Sequence, residues 1–432
     1  MILVISFFIL VAVVFILLQR IHSVNRANLM IVTFVIGFFY IISVHIISLQ
    51  MDRDGFSIFA KKELVDDKLY YLTTKELTSQ LANDGMVDVD SIYDMQTSNF
   101  GYHSSKSLYF SAIAVPFYFF FPDSGPLAFK LLNVFFFAMT VLCFIKFFKV
   151  SGLGVSENHP KGYSKVPAEL FFLLIVISIY PTYIIRMVQL EKDLLLGLLF
   201  ISLFLVMLAN IEVGKRYKFK DYVFISFLLS MLFLYRPQYG LSFFILFFYR
   251  VMFSTSSYKV FLSQLVLLFL LAPVPILIIG KLYPAIFEVL VAHKRYSVLA
   301  GVTGVIDADY SGYISTLKTL SISLYYFYLA PISKYAVQSN MMWKLLMLEP
   351  LVFFVIPFVI SCCFHKYTQN GRKVMFFAIL LSLILGLLSV YFESHVGSYI
   401  RKRMPLYLMW IFLSFYFLNA KKKFNNSYFM GS

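Results

Sequence analysis

Charge is scarce in this chain. Only 14% of its 432 residues are Asp, Glu, Lys or Arg, where an ordinary soluble domain carries roughly 25%. Cysteine is nearly absent: the three present, Cys143, Cys362 and Cys363, sit inside apolar runs. An adjacent pair fits no metal or redox box, so a disulfide scaffold and a thiol-ligated metal site are excluded. Trp contributes 2 residues and Pro 14. No His–Asp box stands at a spacing suited to acyl transfer, and no internal repeat or low-complexity stretch appears. What fills the chain instead is apolar: 60% hydrophobic residues, with 50 Phe and 30 Tyr. A soluble enzyme and a disordered protein are both excluded by that balance. The formal charge of +15 therefore poses a membrane question, namely which side it lies on.

A bilayer core takes about 20 mostly apolar helical residues. Runs of that kind lie near Met1–Leu18, Leu29–Leu49, Leu127–Phe148, Glu169–Ile185, Leu194–Ala209, Tyr222–Tyr235, Gly240–Phe253 and Val260–Leu282. Three more lie near Leu345–Phe364, Met375–Tyr391 and Pro405–Asn419. These make about eleven spans. Met1–Leu18 lacks a basic leading segment and a small-residue cleavage site, so it reads as an uncleaved helix. Leu108–Phe121, interrupted by Pro116, and Leu320–Ile332 are too short and read as interfacial or re-entrant.

The expected organisation is an all-α polytopic membrane protein. Residues 1–50 form two spans, 51–126 a first outer segment, 127–282 further spans, 283–344 a second outer segment, and 345–432 the last spans with a basic tail. Both outer segments are pictured as short helices lying on the membrane domain. With the N-terminus outside and the C-terminus inside, the inner loops hold about 18 Lys and Arg against about 4 acids, and the outer ones about 19 against about 18. Basic residues concentrated in short loops mark the cytoplasmic side, so the net charge reports topology rather than nucleic-acid binding. The Lys421–Lys423 run suits an anchor on anionic headgroups.

On that topology the unusual polar residues face outward. Asp66 and Asp67 stand in DDKLYYL, followed by Tyr70 and Tyr71. Arg186, Glu191, Lys192 and Asp193 occupy YIIRMVQLEKD, Arg236 and Gln238 occupy LYRPQYG, and VLVAHKRYS carries His293. Glu393, His395, Arg401 and Arg403 stand in YFESHVGSYIRKRMPLYL. Each has a plain structural role available: an acidic pair caps a helix start, and an Arg beside a span snorkels. Several such groups on one face suggest instead a polar cavity for a phosphate-bearing substrate.

The order of these features resembles the GT-C class of membrane glycosyltransferases. DDKLYYLTTKEL, Asp66 to Leu77, is similar to the acidic motif that opens the first large outer loop in that class. The stretch from Tyr102 to Lys149 looks like its interfacial helix and following span. PTYIIRMVQLEKDLLL looks like a hairpin of bacterial polysaccharide-cluster members, and LYRPQYG and IRKRMPLYL like their Arg-bearing helix mouths. An extra N-terminal span and the lack of a large C-terminal soluble domain depart from the pattern. Size and topology are equally similar to O-antigen and capsule repeat-unit polymerases.

The resemblance implies an inverting transfer of a sugar or oligosaccharide repeat, on the outer face of a bacterial inner membrane. The donor would be linked to undecaprenyl-(pyro)phosphate and the acceptor would be a glycan or lipid-linked hydroxyl. The bilayer and other polysaccharide-assembly proteins would be the remaining partners, with no nucleic acid. Asp66 or Asp67 would be the catalytic base, and both would hold a divalent cation, Mg or Mn, if one is used. Arg236, Arg401, Arg403, Arg186 and His395 would bind the phosphate, supported by Glu191, Lys192, Asp193, Tyr70, Tyr71 and Glu393. A flippase or transporter of lipid-linked saccharides is the alternative from a different class.

Overall fold

The computed structural model describes residues 23–54, 56, 66–100, 105–122, 125–151, 165–189, 192–213, 218–252, 258–282, 309–329, 349–392 and 396–430. Met1–Leu18 and most of the second outer segment lie outside them. The described chain is helical apart from one two-stranded ladder, in which β1 (Ser23–Asn25) pairs antiparallel with β2 (Lys165–Pro167). Contacts divide the chain into two compact units, Met1–Ser202 and Leu203–Ser432.

In the first unit α1 (Arg26–Gln50) follows β1, and α2 (Asp66–Asn83), α3 (Val89–Phe100) and α4 (Ser105–Phe120) build the segment expected to be the first outer one. Next come α5 (Leu127–Val150), β2, α6 (Ala168–Ser178), α7 (Pro181–Val188) and α8 (Asp193–Val213), within which the unit boundary falls. The ladder joins two loops expected on the same, inner, side. Helix α1 crosses α5 closely at Gly37, where a Cβ would meet the Val134 Cγ1 at 2.8 Å. Its opposite face leaves Ile31, Val35, Phe39 and Ile42 exposed. A continuous apolar stripe of this kind has no stable place in water.

Helices α2 and α4 pack together over a buried polar seam. The Gln96 amide, from α3, donates to the Thr73 hydroxyl at 2.9 Å and the Ser107 hydroxyl at 3.0 Å, and the Ser111 hydroxyl donates to the Tyr70 carbonyl at 3.1 Å. The segment thus folds as the short helices expected, and satisfies its own polar groups.

The second unit continues with α9 (Phe219–Tyr235), α10 (Pro237–Met252), α11 (Tyr258–Leu271), α12 (Pro273–Leu282) and α13 (Tyr313–Leu329). A wide π turn at Leu351–Val355 leads into α14 (Ile356–Phe364), followed by α15 (Gly371–Phe392) and the 35-residue α16 (Val396–Met430). The Asp221 carboxylate accepts the Lys218 N–H at 2.8 Å and closes the start of α9. In the core the Trp410 indole donates to the Ser382 hydroxyl at 3.1 Å, and the Tyr407 ring stacks on Phe354.

Among the described residues, four helices are long and apolar enough to cross a membrane: α1, α5, α8 and α15. The pair α6 and α7, bent by 70°, makes a fifth if it counts as one span. Membrane association follows from these helices. The run Glu169–Ile185, expected as one span, is therefore broken, and proline is the reason. A residue before proline is pushed out of the helical region while proline itself suits a first helical position, so α6 ends at Ser178 and α7 restarts at Pro181. Val260–Leu282 breaks in the same way before Pro273.

Candidate functional site

The break between α6 and α7 leaves carbonyls without their helical donors. An apolar medium makes each such group costly, and two neighbouring helices answer the carbonyls at the break and at the end of α7. The Tyr40 hydroxyl on α1 donates to the Ser178 carbonyl at 2.8 Å. The Asn133 amide on α5 donates to the carbonyls of Met187 at 3.0 Å and Gln189 at 2.6 Å, and approaches that of Arg186 at 3.4 Å. Tyr180 and Tyr183, both buried, stack on one another with their rings 19° from parallel.

This bracing sets the charged turn between α7 and α8. The Arg186 guanidinium donates to the Gln189 side-chain carbonyl at 2.7 Å, and its Nε lies 3.8 Å from the Asp193 carboxylate. Gln189, Lys192 and Asp193 are all buried. Asp193 opens α8, where a carboxylate is favoured by the helix dipole. The expected grouping of Arg186, Lys192 and Asp193 is thus brought together. Glu191 lies outside the described residues.

In the second unit Arg236 is the residue on which α9 ends, half-buried, with its N–H donating to the Leu232 carbonyl at 2.8 Å. Three residues on, the Tyr239 hydroxyl donates to the Lys402 carbonyl at 2.9 Å. That bond ties the mouth of α10 to the first turns of α16, so Arg236 and the Arg401–Arg403 run share one end of the unit. Arg401 is half-buried, and Lys402 and Arg403 are buried. The Arg403 guanidinium reaches the Glu349 carboxylate at 3.3 Å and the Phe327 carbonyl at 3.3 Å, and lies over the Tyr407 ring at 5.0 Å. Both ends of the ion pair are fully enclosed.

Asp66 and Asp67 are the first two residues of α2, a position where negative charge stabilises a helix. Their side chains lie outside the described residues, as do Glu393, His395 and His293. The two tyrosines that follow pack against α4 and α5. Tyr70 is buried, edge-on to Phe110. Tyr71 meets Phe56, Tyr118 and Phe129 edge-on at 5.6, 5.9 and 5.7 Å. Among the described residues no three His, Cys, Asp or Glu side chains gather closely enough to hold a metal ion.

Sequence reasoning passed over Lys130, Asn133, Glu349 and Lys402. Each had a signal: an ionisable or amide group inside or beside an apolar run, as in LAFKLLNVFFF and LLMLEPLVFF. Such groups are rare at membrane depth and tend to mark functional positions.

The chain matches no protein-family model, no curated protein and no solved structure.

Proposed function

We propose that this chain is a multi-span membrane glycosyltransferase of cell-surface polysaccharide assembly, acting as a repeat-unit polymerase. It takes its sugar or oligosaccharide from an undecaprenyl-(pyro)phosphate donor on the extracytoplasmic face of a bacterial inner membrane. About eleven spans and an outward N-terminus belong to the same reading. The observation that carries it is charge held at a turn between apolar helices, in the largely buried Arg186 with the buried Lys192 and Asp193. A charge at membrane depth costs at least ~2.5–3.5 kcal/mol on insertion scales, so a set of this size calls for a polar task.

The chemistry asks little of the protein. Asp66 or Asp67 takes the proton of an acceptor hydroxyl as its oxygen attacks the anomeric carbon. The bond from that carbon to the phosphate oxygen breaks, and the polyprenyl (pyro)phosphate leaves with its electron pair. Attack opposite the leaving group inverts the configuration. Arg186, in the same unit as the two acids, meets the departing charge with its planar donor fork. The residue types at Asp66 and Asp67 suit a divalent cation, but two carboxylates alone do not make a full ligand set. No step is routed through one.

Replacing both acids, Asp66→Asn with Asp67→Asn, tests the assignment. Polysaccharide made at full length and at normal protein level by the double variant refutes it.

One observation favours a second reading. Transporters build substrate sites on broken helices, and the 70° break between α6 and α7 has that form. Equilibration of a lipid-linked saccharide across proteoliposomes, with no new glycosidic bond, selects the flippase.

A further inference from the structure

Two neutral carboxamides lie in series behind the Arg186 guanidinium. Gln189, the residue after α7, is extended (φ −98°, ψ 149°), so the chain leaves the helix there. Asn133, buried on α5, meets this exit with a side chain that has two N–H donors. The Met187 carbonyl accepts at 3.0 Å and the Gln189 carbonyl at 2.6 Å. An amide oxygen turned the same way would repel both, so the orientation of the group is fixed by its acceptors. Gln189 is thereby held by its backbone to α5. Its own side chain, also buried, accepts from the Arg186 guanidinium at 2.7 Å. Asn133 holds Gln189, and Gln189 holds Arg186.

A guanidinium fixed before its ligand arrives does not lose that rotamer freedom on binding. A carboxylate at position 189 would also fix it, but with an opposing charge at hydrogen-bonding distance. A carboxamide fixes the donor fork and adds no charge. The Asp193 carboxylate, 3.8 Å from Nε, stands further off than a hydrogen bond. Glu349, by contrast, meets Arg403 at 3.3 Å.

We propose that Asn133 and Gln189 are positioning residues for Arg186. They fix the orientation in which its guanidinium meets the departing phosphate, and they add no charge to oppose it. The phosphate rests on the glycosyltransferase reading; the positioning rests on the contacts of α5, α7 and Gln189.

Two measurements on the full-length protein in nanodiscs test it. The first is the rate at which phenylglyoxal modifies Arg186, read by peptide mass spectrometry. Gln189→Met and Asn133→Leu are each expected to raise it roughly fivefold as the side chain is released, and Gln189→Glu to leave it within about twofold. Should Asn133→Leu not fold, Asn133→Ser, which keeps one donor, is expected to move the rate in the same direction. The second is kcat/KM for transfer from polyprenyl pyrophosphate-linked oligosaccharide, per folded protein. Gln189→Glu is expected to lower it about tenfold or more while Arg186 stays protected, a split that a merely structural role would not produce. Unchanged modification in Gln189→Met overturns the proposal, and so does transfer at the wild-type rate by Gln189→Glu. Failure of both Asn133 variants to fold assigns Asn133 to the structure alone and overturns its part. If the wild type forms no glycosidic product, the transfer reading falls. Faster modification in Gln189→Met and Asn133→Leu would still support the positioning.

Discussion

Arg403 and Arg186 occupy comparable places, each beside the end of an apolar helix, yet their surroundings differ. Arg403 is fully enclosed, with Glu349 at 3.3 Å, a backbone carbonyl at 3.3 Å and the Tyr407 ring against its face. Arg186 keeps 11% exposure, and its carboxylate partner stands 3.8 Å away. An enclosed pair with a ring and a carbonyl around it acts as a strut: it holds the start of α16 to the π turn and to the end of α13. The Arg186 pair is longer and less enclosed. An arginine beside an apolar helix therefore does not have one fixed role, and the two positions should respond differently to substitution.

The largest effect should come from breaking the enclosed pair. Glu349→Ala leaves Arg403 buried without its counter-charge, and removal of one partner from such a pair costs about 3–5 kcal/mol. Thermal unfolding of the purified protein should show that loss, and Arg403→Met combined with Glu349→Leu should recover most of it. Asn133→Ala comes next, because it strips the carbonyls of Met187 and Gln189 of their donor. An unsatisfied buried group costs about 1–3 kcal/mol, read by the same melt. Arg186→Gln should lower stability by about 1–3 kcal/mol, because Asp193 and Gln189 stay buried without this partner, and its effect should appear in substrate binding as well. Equal destabilisation by Glu349→Ala and Arg186→Gln would erase the distinction.

The smallest effect concerns Asp309, exposed ahead of α13. The Ser311 N–H donates to its carboxylate at 2.9 Å, and bonds from Ser311 hold its pKa below the ordinary 3.8. A folded-state pKa below the unfolded one means the stabilisation is present above pH 3.8 and fades as the pH falls below it. Asp309→Asn should therefore lower stability slightly at neutral pH, leave the acid end almost unchanged, and so flatten the acid-side dependence. A melting series between pH 3 and pH 6 checks it.

Much of the helical layout could be read from apolar run length alone. Leu29–Leu49, Leu127–Phe148, Leu194–Ala209 and Met375–Tyr391 each fall within helices that pass the length and hydropathy test. The break in Glu169–Ile185 was also written in the chain, as Pro181 after Tyr180, but run length hides it because an apolar break is still apolar. Local charge grouping was legible where the residues are close in sequence, as Arg186 and Asp193 are. The pairing of Arg403 with Glu349, 54 residues apart, was not, since nothing in either local pattern specifies its partner. The same holds for Asn133, whose amide reaches 54 and 56 residues ahead, and for the ladder between Ser23–Asn25 and Lys165–Pro167. Periodicity reports which face is buried; it does not report what the buried polar groups meet.

The central claim is that the two acids opening α2 perform sugar transfer from a polyprenyl-linked donor. Purified protein in nanodiscs, given polyprenyl pyrophosphate-linked oligosaccharide, should form new glycosidic bonds and release polyprenyl pyrophosphate. The Asp66→Asn, Asp67→Asn variant should lose that product by a factor of about 10² or more while still binding donor. Product formation at the wild-type rate by the double variant would contradict the account.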